Sequence, residues 1–224
     1  MTTVIVIAKA PIAGQVKTRL CPPCTPEEAA AVAGAALIDT LSTVDAFAAD
    51  RAVIALDGPA GTWVPPRFEV IAQRGGPLEE RLAAAFEDAM GTDPTAWQPT
   101  VLIGMDTPQV THTDLKDAFN ALAGHGSSLG LTPDGGWWCI GLHAPNAEVF
   151  RDVIMSEPTT GQRQLERLDA LGLAPVSLRE LADVDFFPDA LHVASLIPLS
   201  TFAREVGLIH QRVTQTAPND TWAS

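Results

Sequence analysis

The sequence predicts an α/β fold with a mostly parallel central sheet, and three observations carry that expectation. Short apolar runs rich in β-branched residues recur, the strongest being "VIVIA" (Val4 to Ala8) and "VLIGM" (Val101 to Met105). Such runs fit strands covered on both faces, as parallel strands are. Stretches of helical period separate them, and strand–helix alternation is the signature of a sheet with helices on both sides. Hydrophobic residues form 46% of the 224, enough for a sizeable core in one large domain or two small ones.

Val4 to Ala8 is the first strand, and the loop "AKAPIAGQVKTRL" (8–20) follows it. "TPEEAAAVAGAALIDTL" opens a long helix with a capping box, Thr25 as cap, Pro26 at the first helical position and Glu28 three residues after the cap. "RAVIALD" (51–57) and "FEVIAQ" (68–73) are the next strands, and "PLEERLAAAFEDAM" (77–90) has helical period. "TVLIGMD" (100–106) is a buried strand ending in a carboxylate, and "HTDLKDAFNALAG" (112–124) is a helix. "SLGLTPDGGWWCIGL" (128–142) reads as two strands around a Gly-Gly turn. Two further helices and a short strand lead to "ADVDFFPDAL" (182–191), where Pro188 opens a helix. With no internal repeat, linker or low-complexity block, residues 1–195 are expected to form one domain. Residues 196–224 add a C-terminal helix and a loose tail.

Composition excludes several function classes. The formal net charge is -13, which disfavours nonspecific binding to nucleic acid or an anionic membrane. No apolar run approaches the roughly 18 residues of a membrane span. The opening lacks a basic n-region and reads as a strand rather than a signal peptide. Three cysteines do not make a closed disulfide set, and a cytoplasmic protein is expected.

Against that acidity the first loop is unusual. The chain has only three lysines, and Lys9 and Lys17 both lie in this loop with Arg19 beside them. Ligands of open α/β sheets bind beyond the carboxyl ends of the strands. That rim carries Lys9, Gly14, Lys17 and Arg19 after the first strand, Asp57 after the second, and Gln73, Arg74 and two glycines after the third. Asp106 and Thr107 follow the fourth strand, and Asp134 and the pair Asp183 and Asp185 come later. Cations and carboxylates on one rim suit a nucleotide diphosphate with a divalent metal, because cations and backbone N–H groups hold phosphate while carboxylates hold Mg²⁺. The loop is not a P-loop, since Pro11 stands where that pattern needs glycine, and G-x-G-x-x-G is absent. "CPPC" (21–24) reads as two incidental thiols ahead of the capped helix, and His112, His125 and His143 show no metal-ligand spacing.

"AKAPIAGQVKTRL", "GMDTP", "PDGGWWCIGL" and "DVD", in that order, resemble the signature blocks of a bacterial family of nucleotide-diphosphate-sugar transferases with the glycosyltransferase-A (GT-A) fold, a Rossmann-like sandwich. The resemblance covers about Val4 to Leu191. More distantly the chain is similar to 2-phospho-L-lactate guanylyltransferase. The family pattern has Tyr after the glycine pair where this chain has Trp137 and Trp138.

The resemblance implies roles residue by residue. Lys9, Gly14, Lys17 and Arg19 would wrap the nucleotide phosphates, and Gln73 and Arg81 would lie beside the nucleotide. Asp106 would be both catalytic and a ligand of Mg²⁺ or Mn²⁺, with Asp185 a second ligand. Asp134 would orient the acceptor or act as general base. Gly135 and Gly136 would form a close-approach turn on the acceptor side. Alternating faces make one tryptophan core and leave the other to stack on a base or sugar, with Trp138 as the acceptor-side candidate. The expected activity is sugar transfer from a nucleotide or nucleotide-sugar donor to a small-molecule acceptor. Nucleotidyl transfer releasing pyrophosphate is the alternative, and a non-catalytic nucleotide-binding module is a further one.

Overall fold

The computed structural model describes residues 1–124 and 126–216. Its centre is a 7-stranded sheet in the order β3-β2-β1-β4-β6-β5-β7. The strands are β1 (Thr3–Lys9), β2 (Arg51–Asp57), β3 (Phe68–Ala72), β4 (Thr100–Gly104), β5 (Ser127–Leu131), β6 (Trp137–Leu142) and β7 (Pro175–Leu178). β1, β2, β3 and β4 pair in parallel, and so do β5 and β7. β6 runs antiparallel to both its neighbours, β4 and β5. The α/β expectation with a mostly parallel sheet is met.

The alternation of side chains across the sheet sorts the core. Val4, Val6, Ile54, Val101 and Ile103 face one way, against α1 (Pro26–Phe47) and α3 (His112–Gly124). Ile5, Val53, Leu102, Leu129 and Ile140 face the other, against α2 (Leu78–Met90) and α4 (Thr160–Ala170). β1, in the middle, is apolar on both faces because both are covered.

A third layer lies outside α1. Val32 and Ala36 of α1 pack with Val193 of α5 (Phe187–Leu196) and with Phe202, Val206 and Ile209 of α6 (Thr201–Thr216). Asp39 of α1 accepts the first backbone N–H groups of α6, from Thr201 at 3.2 Å and Phe202 at 2.7 Å. By length and composition alone α1 could cross a membrane. Here its inner face fills the sheet core with Leu37, Leu41 and Val44, while its outer face fills the third layer. A helix apolar all round is what burial on two sides requires. Its capping box forms as expected, with Thr25 N–H donating to Glu28 and Glu28 N–H to Thr25 Oγ1.

Two local expectations are corrected. β4 leaves the sheet at Gly104 rather than at Asp106, because the Asp106 carbonyl accepts from Val184 N–H at 3.1 Å instead of from a strand neighbour. Of the two helices expected between β6 and β7, one is α4, and the other is only a short 3-10 turn at Ala147–Val149. The added C-terminal helix is α6, whereas the tail expected after it falls beyond residue 216, outside the described residues, as does His125.

Candidate active site

The carboxyl ends of β1 and β4 open into a cleft of about 700 Å³, at the crevice position where α/β sheets bind ligands. One wall is the end of the first loop, Gln15 to Arg19. Lys17 adopts the left-handed conformation (φ 48, ψ 35), a backbone state that is uncommon outside glycine and stores strain mostly at functional sites. Its side chain points inward. Only 7% of that side chain is exposed, and its ammonium lies 2.7 Å from Asp106 Oδ1. The same ammonium donates to the Val184 carbonyl. Arg19 NH1 reaches Asp185 Oδ2 at 2.5 Å. Lys9 is exposed on the cleft. Gly14, at φ 77 with open space around it, stands at the loop's outer bend and does not line the cleft.

The second wall is built around Gln73. Its amide donates to the carbonyls of Ala8 (2.8 Å) and Ala55 (3.0 Å), tying the ends of β1 and β2 together. Its Oε1 accepts from Arg81 NH1 at 3.2 Å, and the same NH1 lies 3.4 Å from Asp57. Gln73 therefore holds Arg81 in place. Arg81 Nε is buried and has no protein partner.

Opposite the cations stand the acids. Asp134, Asp183 and Asp185 each bring a carboxylate oxygen within 4.8 Å of the others. Asp134 Oδ1 accepts from Thr132 Oγ1 and from Gly136 N–H at 3.1 Å, which fixes the turn. Gly135 has φ +92, and a Cβ there would collide with the Pro158 carbonyl. Its own carbonyl accepts from Gly161 N–H at 2.7 Å, so glycine is required by both conformation and contact. Burial pushes the Asp183 carboxyl up, Asp134, Asp185 and Asp106 push further, and Lys17 pulls the other way, leaving it at about 7. Thr107, beside Asp106, lines the cleft with 2% of its surface exposed, and its hydroxyl is buried without a protein partner.

The structure thus brings Lys9, Lys17, Arg19, Gln73, Arg81, Asp106, Asp134, Gly136 and Asp185 to one cleft. Trp137 and Trp138 both line the cleft but differ in exposure. Trp138 is 2% exposed, packs in the core, and donates its indole N–H to the Arg179 carbonyl at 3.1 Å. Trp137 is the one that keeps accessible surface on the cleft. Both expected metal ligands, Asp106 and Asp185, lie in the cleft. Asp106 meets an ammonium, and the acid that joins Asp185 and Asp134 is Asp183. The sequence carried a signal for Asp183 in the spacing of "DVD", and it placed Thr107 on the rim after the fourth strand without marking its hydroxyl as buried. Cys24 is buried and its thiol is pushed up to about 11 by burial first and the Glu28 charge second, which agrees with an inert thiol.

The family model described as "Uncharacterized protein conserved in bacteria (DUF2064)" matches residues 30–157, more than half of the chain. The chain belongs to that family. The DUF2064 match spans α1 through the end of the Asp134 turn and on to Glu157, so it takes in both the second wall and part of the acid wall. No curated protein matches in sequence. Among solved structures, the "putative nucleotide-diphospho-sugar transferase" from Desulfovibrio desulfuricans G20 superposes with TM-score 0.82 at 25% identity, covering 94% of this chain and 97% of its own. A nucleotidyl transferase from Methanothermobacter thermautotroptrophicus gives TM-score 0.55 at 15% identity, over 91% and 98%. A homolog of Mycobacterium tuberculosis Rv0371c from Mycobacterium sp. strain JC1 gives 0.52 at 20%, over 88% and 98%. The fold is that of the Rossmann-like nucleotide-sugar transferases.

Proposed function

We propose that this protein is a metal-assisted, nucleotide-dependent transferase that moves a sugar from a nucleotide diphosphate to a small-molecule acceptor. One observation carries the reading: in a single cleft, the cations of the first loop meet a group of carboxylates. Support comes also from the D. desulfuricans neighbour, described as a "putative nucleotide-diphospho-sugar transferase", which matches over nearly the whole chain.

Lys9, Lys17 and Arg19 bind the diphosphate, where charge-assisted hydrogen bonds are strong. Arg81, braced by Gln73, lies beside the nucleotide. The acids fit a hard divalent ion such as Mg²⁺ or Mn²⁺, since every donor is an oxygen and a buried hydroxyl, Thr107 Oγ1, stands unpartnered next to Asp106. Asp185, Asp183 and Asp106 would hold the ion. Bound there, it neutralises charge on the departing diphosphate. Both hydrogen bonds to the Asp134 carboxylate fall on Oδ1, so Oδ2 is the oxygen offered to an acceptor hydroxyl as it loses its proton. Gly136 and Trp137 form the acceptor-side surface.

The deciding experiment incubates the protein and Mn²⁺ with a panel of nucleotide sugars preselected by thermal shift, and identifies the released nucleotide. Free nucleoside diphosphate is the expected product. Nucleotidyl transfer, which the fold supports in the Methanothermobacter protein, would instead consume a nucleoside triphosphate and release pyrophosphate. Nucleotide binding without turnover of any donor would reduce the protein to a binding module.

A further inference from the structure

The cations that are suited to phosphate are held by acid. Lys17 sits 2.7 Å from Asp106 and also donates to the Val184 carbonyl, between the two metal-ligand candidates of the 183–185 segment. Arg19 sits 2.5 Å from Asp185. An ammonium this close occupies the carboxylate oxygen that a divalent ion would need, and it repels that ion. We propose that Lys17 and Arg19 are exchangeable counter-cations: they keep Asp106 and Asp185 from a divalent ion until a phosphate anion draws them away. Their destination rests on the nucleotide-diphosphate reading above, whereas the masking of the acids rests on the geometry alone.

Three features make exchange, rather than a permanent strut, the fitting account. The Arg19–Asp185 pair is solvent-accessible on both sides, and such pairs are weak enough to give way to a better partner. Lys17 is delivered from a left-handed backbone, a state that costs free energy, which its departure would recover. Thr107, which follows Asp106 and also lines the cleft, has a buried hydroxyl with no partner among the described residues, an unmet polar group of the kind a bound ligand satisfies. A phosphate offers several oxygens to each cation, and departure of the cations leaves Asp106 and Asp185 free to join Asp183 around the ion. Anion and metal then bind with positive coupling, because each removes what opposes the other.

The test measures Mn²⁺ alone, by the loss of its free-ion paramagnetic resonance signal, on wild type, Arg19→Gln, Lys17→Met and Lys9→Met, all without nucleotide. Arg19→Gln and Lys17→Met should each bind Mn²⁺ about tenfold more tightly than wild type. Lys9→Met removes a cation from the same cleft that pairs with no acid among the described residues, and its Mn²⁺ affinity should change less than twofold. In EDTA, inorganic pyrophosphate should bind wild type about tenfold more tightly than Arg19→Gln. Equal Mn²⁺ affinity in wild type and Arg19→Gln overturns the proposal. So does equal tightening in Lys9→Met, a lack of Mn²⁺ binding to any of the proteins, or a lack of pyrophosphate binding to wild type. If Lys17→Met does not fold, Arg19→Gln, whose side chain is exposed, decides alone. Should Mn²⁺ and pyrophosphate behave as expected while no nucleoside diphosphate binds, the exchange stands and the nucleotide reading falls.

Discussion

Asp114 and Asp183 are both carboxylates withdrawn from water, and the protein treats them in opposite ways. Asp114 lies in the first turn of α3 with 2% of its side chain exposed. Burial pushes its carboxyl up, but the forked hydrogen bonds from Arg179 and those from Thr111 outweigh burial and hold it below its ordinary value. Among the described residues, the Asp183 carboxyl has no hydrogen-bond or ion-pair partner. Burial and the neighbouring charges of Asp134 and Asp185 leave it at about 7. The difference lies in the neighbours rather than in the residue: an arginine makes an acid part of the scaffold, while a gathering of acids leaves charge waiting for a cation.

The widest gap between the two regions should appear in turnover. Asp106→Asn keeps shape and removes charge at the cleft. The variant should fold normally, lose the metal-dependent part of nucleotide binding, and lose turnover by about a hundredfold or more, as the leaving diphosphate forfeits its Lewis acid. Asp114→Asn should leave turnover per folded molecule within about twofold, since it lies outside the cleft lining. Nucleotide affinity with and without Mn²⁺, in both variants, checks the pair. An equal metal effect in Asp106→Asn and wild type would make Asp106 a turn residue only.

The next largest effect concerns the loop. Lys17→Ala with Arg19→Ala should weaken nucleoside diphosphate binding in EDTA by about tenfold or more per residue, because charge-assisted hydrogen bonds contribute roughly 1.5–3 kcal/mol each. Calorimetry on the folded double variant reads this directly, and unchanged affinity would remove the phosphate role.

The two regions also differ in how legible they were. The rim was legible because its logic is local: an apolar run such as "VLIGM" fixes a strand, and whatever follows the strand falls at the ligand crevice. The capping box of α1 and the turn at Gly135 were legible for the same reason. What stayed hidden depends on long-range pairing. Lys17 bonds Val184, 167 residues away, and no periodicity announces such a contact. Alternation showed that Trp137 and Trp138 point oppositely, but which one is covered depends on Gly130, where a Cβ would collide with the Trp138 indole. That contact exists only because β6 inserts antiparallel between β4 and β5. Asp114 drew no notice as a candidate because its partner Arg179 arrives from the end of β7.

In stability the order reverses, and Asp114 matters more. Asp114→Asn removes a buried charge that Arg179 and Thr111 both engage, and should cost about 2–3 kcal/mol, the moderate end for a broken buried pair because Arg179 is itself half exposed. The pH dependence has a definite sign. Asp114 is held below its ordinary value in the folded state, so its contribution is present above the unfolded-state value near 3.9 and is lost as pH falls through the folded-state value. Urea unfolding from pH 7 to pH 3 should show wild type losing its advantage over Asp114→Asn only at the acid end. A constant difference across that range would mean that packing, not charge, is what Asp114 supplies.

Asp183→Asn should have the smallest effect and the opposite sign. The folded protein raises this carboxyl from 3.8 to about 7, so it favours the protonated acid and resists the charge. Stability linked to this group is fully present below about 3.8 and is lost as pH rises through about 7. At pH 8 the wild type carries the ionised form among Asp134, Asp185 and Asp106 with only Lys17 to offset it. Asparagine fills the same space and cannot ionise. At pH 8 the variant should therefore be more stable by about 1–2 kcal/mol, discounted for solvent screening at a partly exposed site. The gain should shrink as pH falls from 7 towards 3.8, the interval in which only the folded wild type keeps its proton, and should be clearly smaller at pH 5 than at pH 8. Urea midpoints at pH 5 and pH 8 measure it. A gain equal at both values would trace the effect to shape or hydrogen bonding instead of charge, and a loss at pH 8 would show that Lys17 stabilises Asp183 more than its acidic neighbours oppose it. If the gain is larger at pH 8 than at pH 5 and the variant binds Mn²⁺ more weakly, the same repulsion that lowers stability is what draws the ion to the cleft.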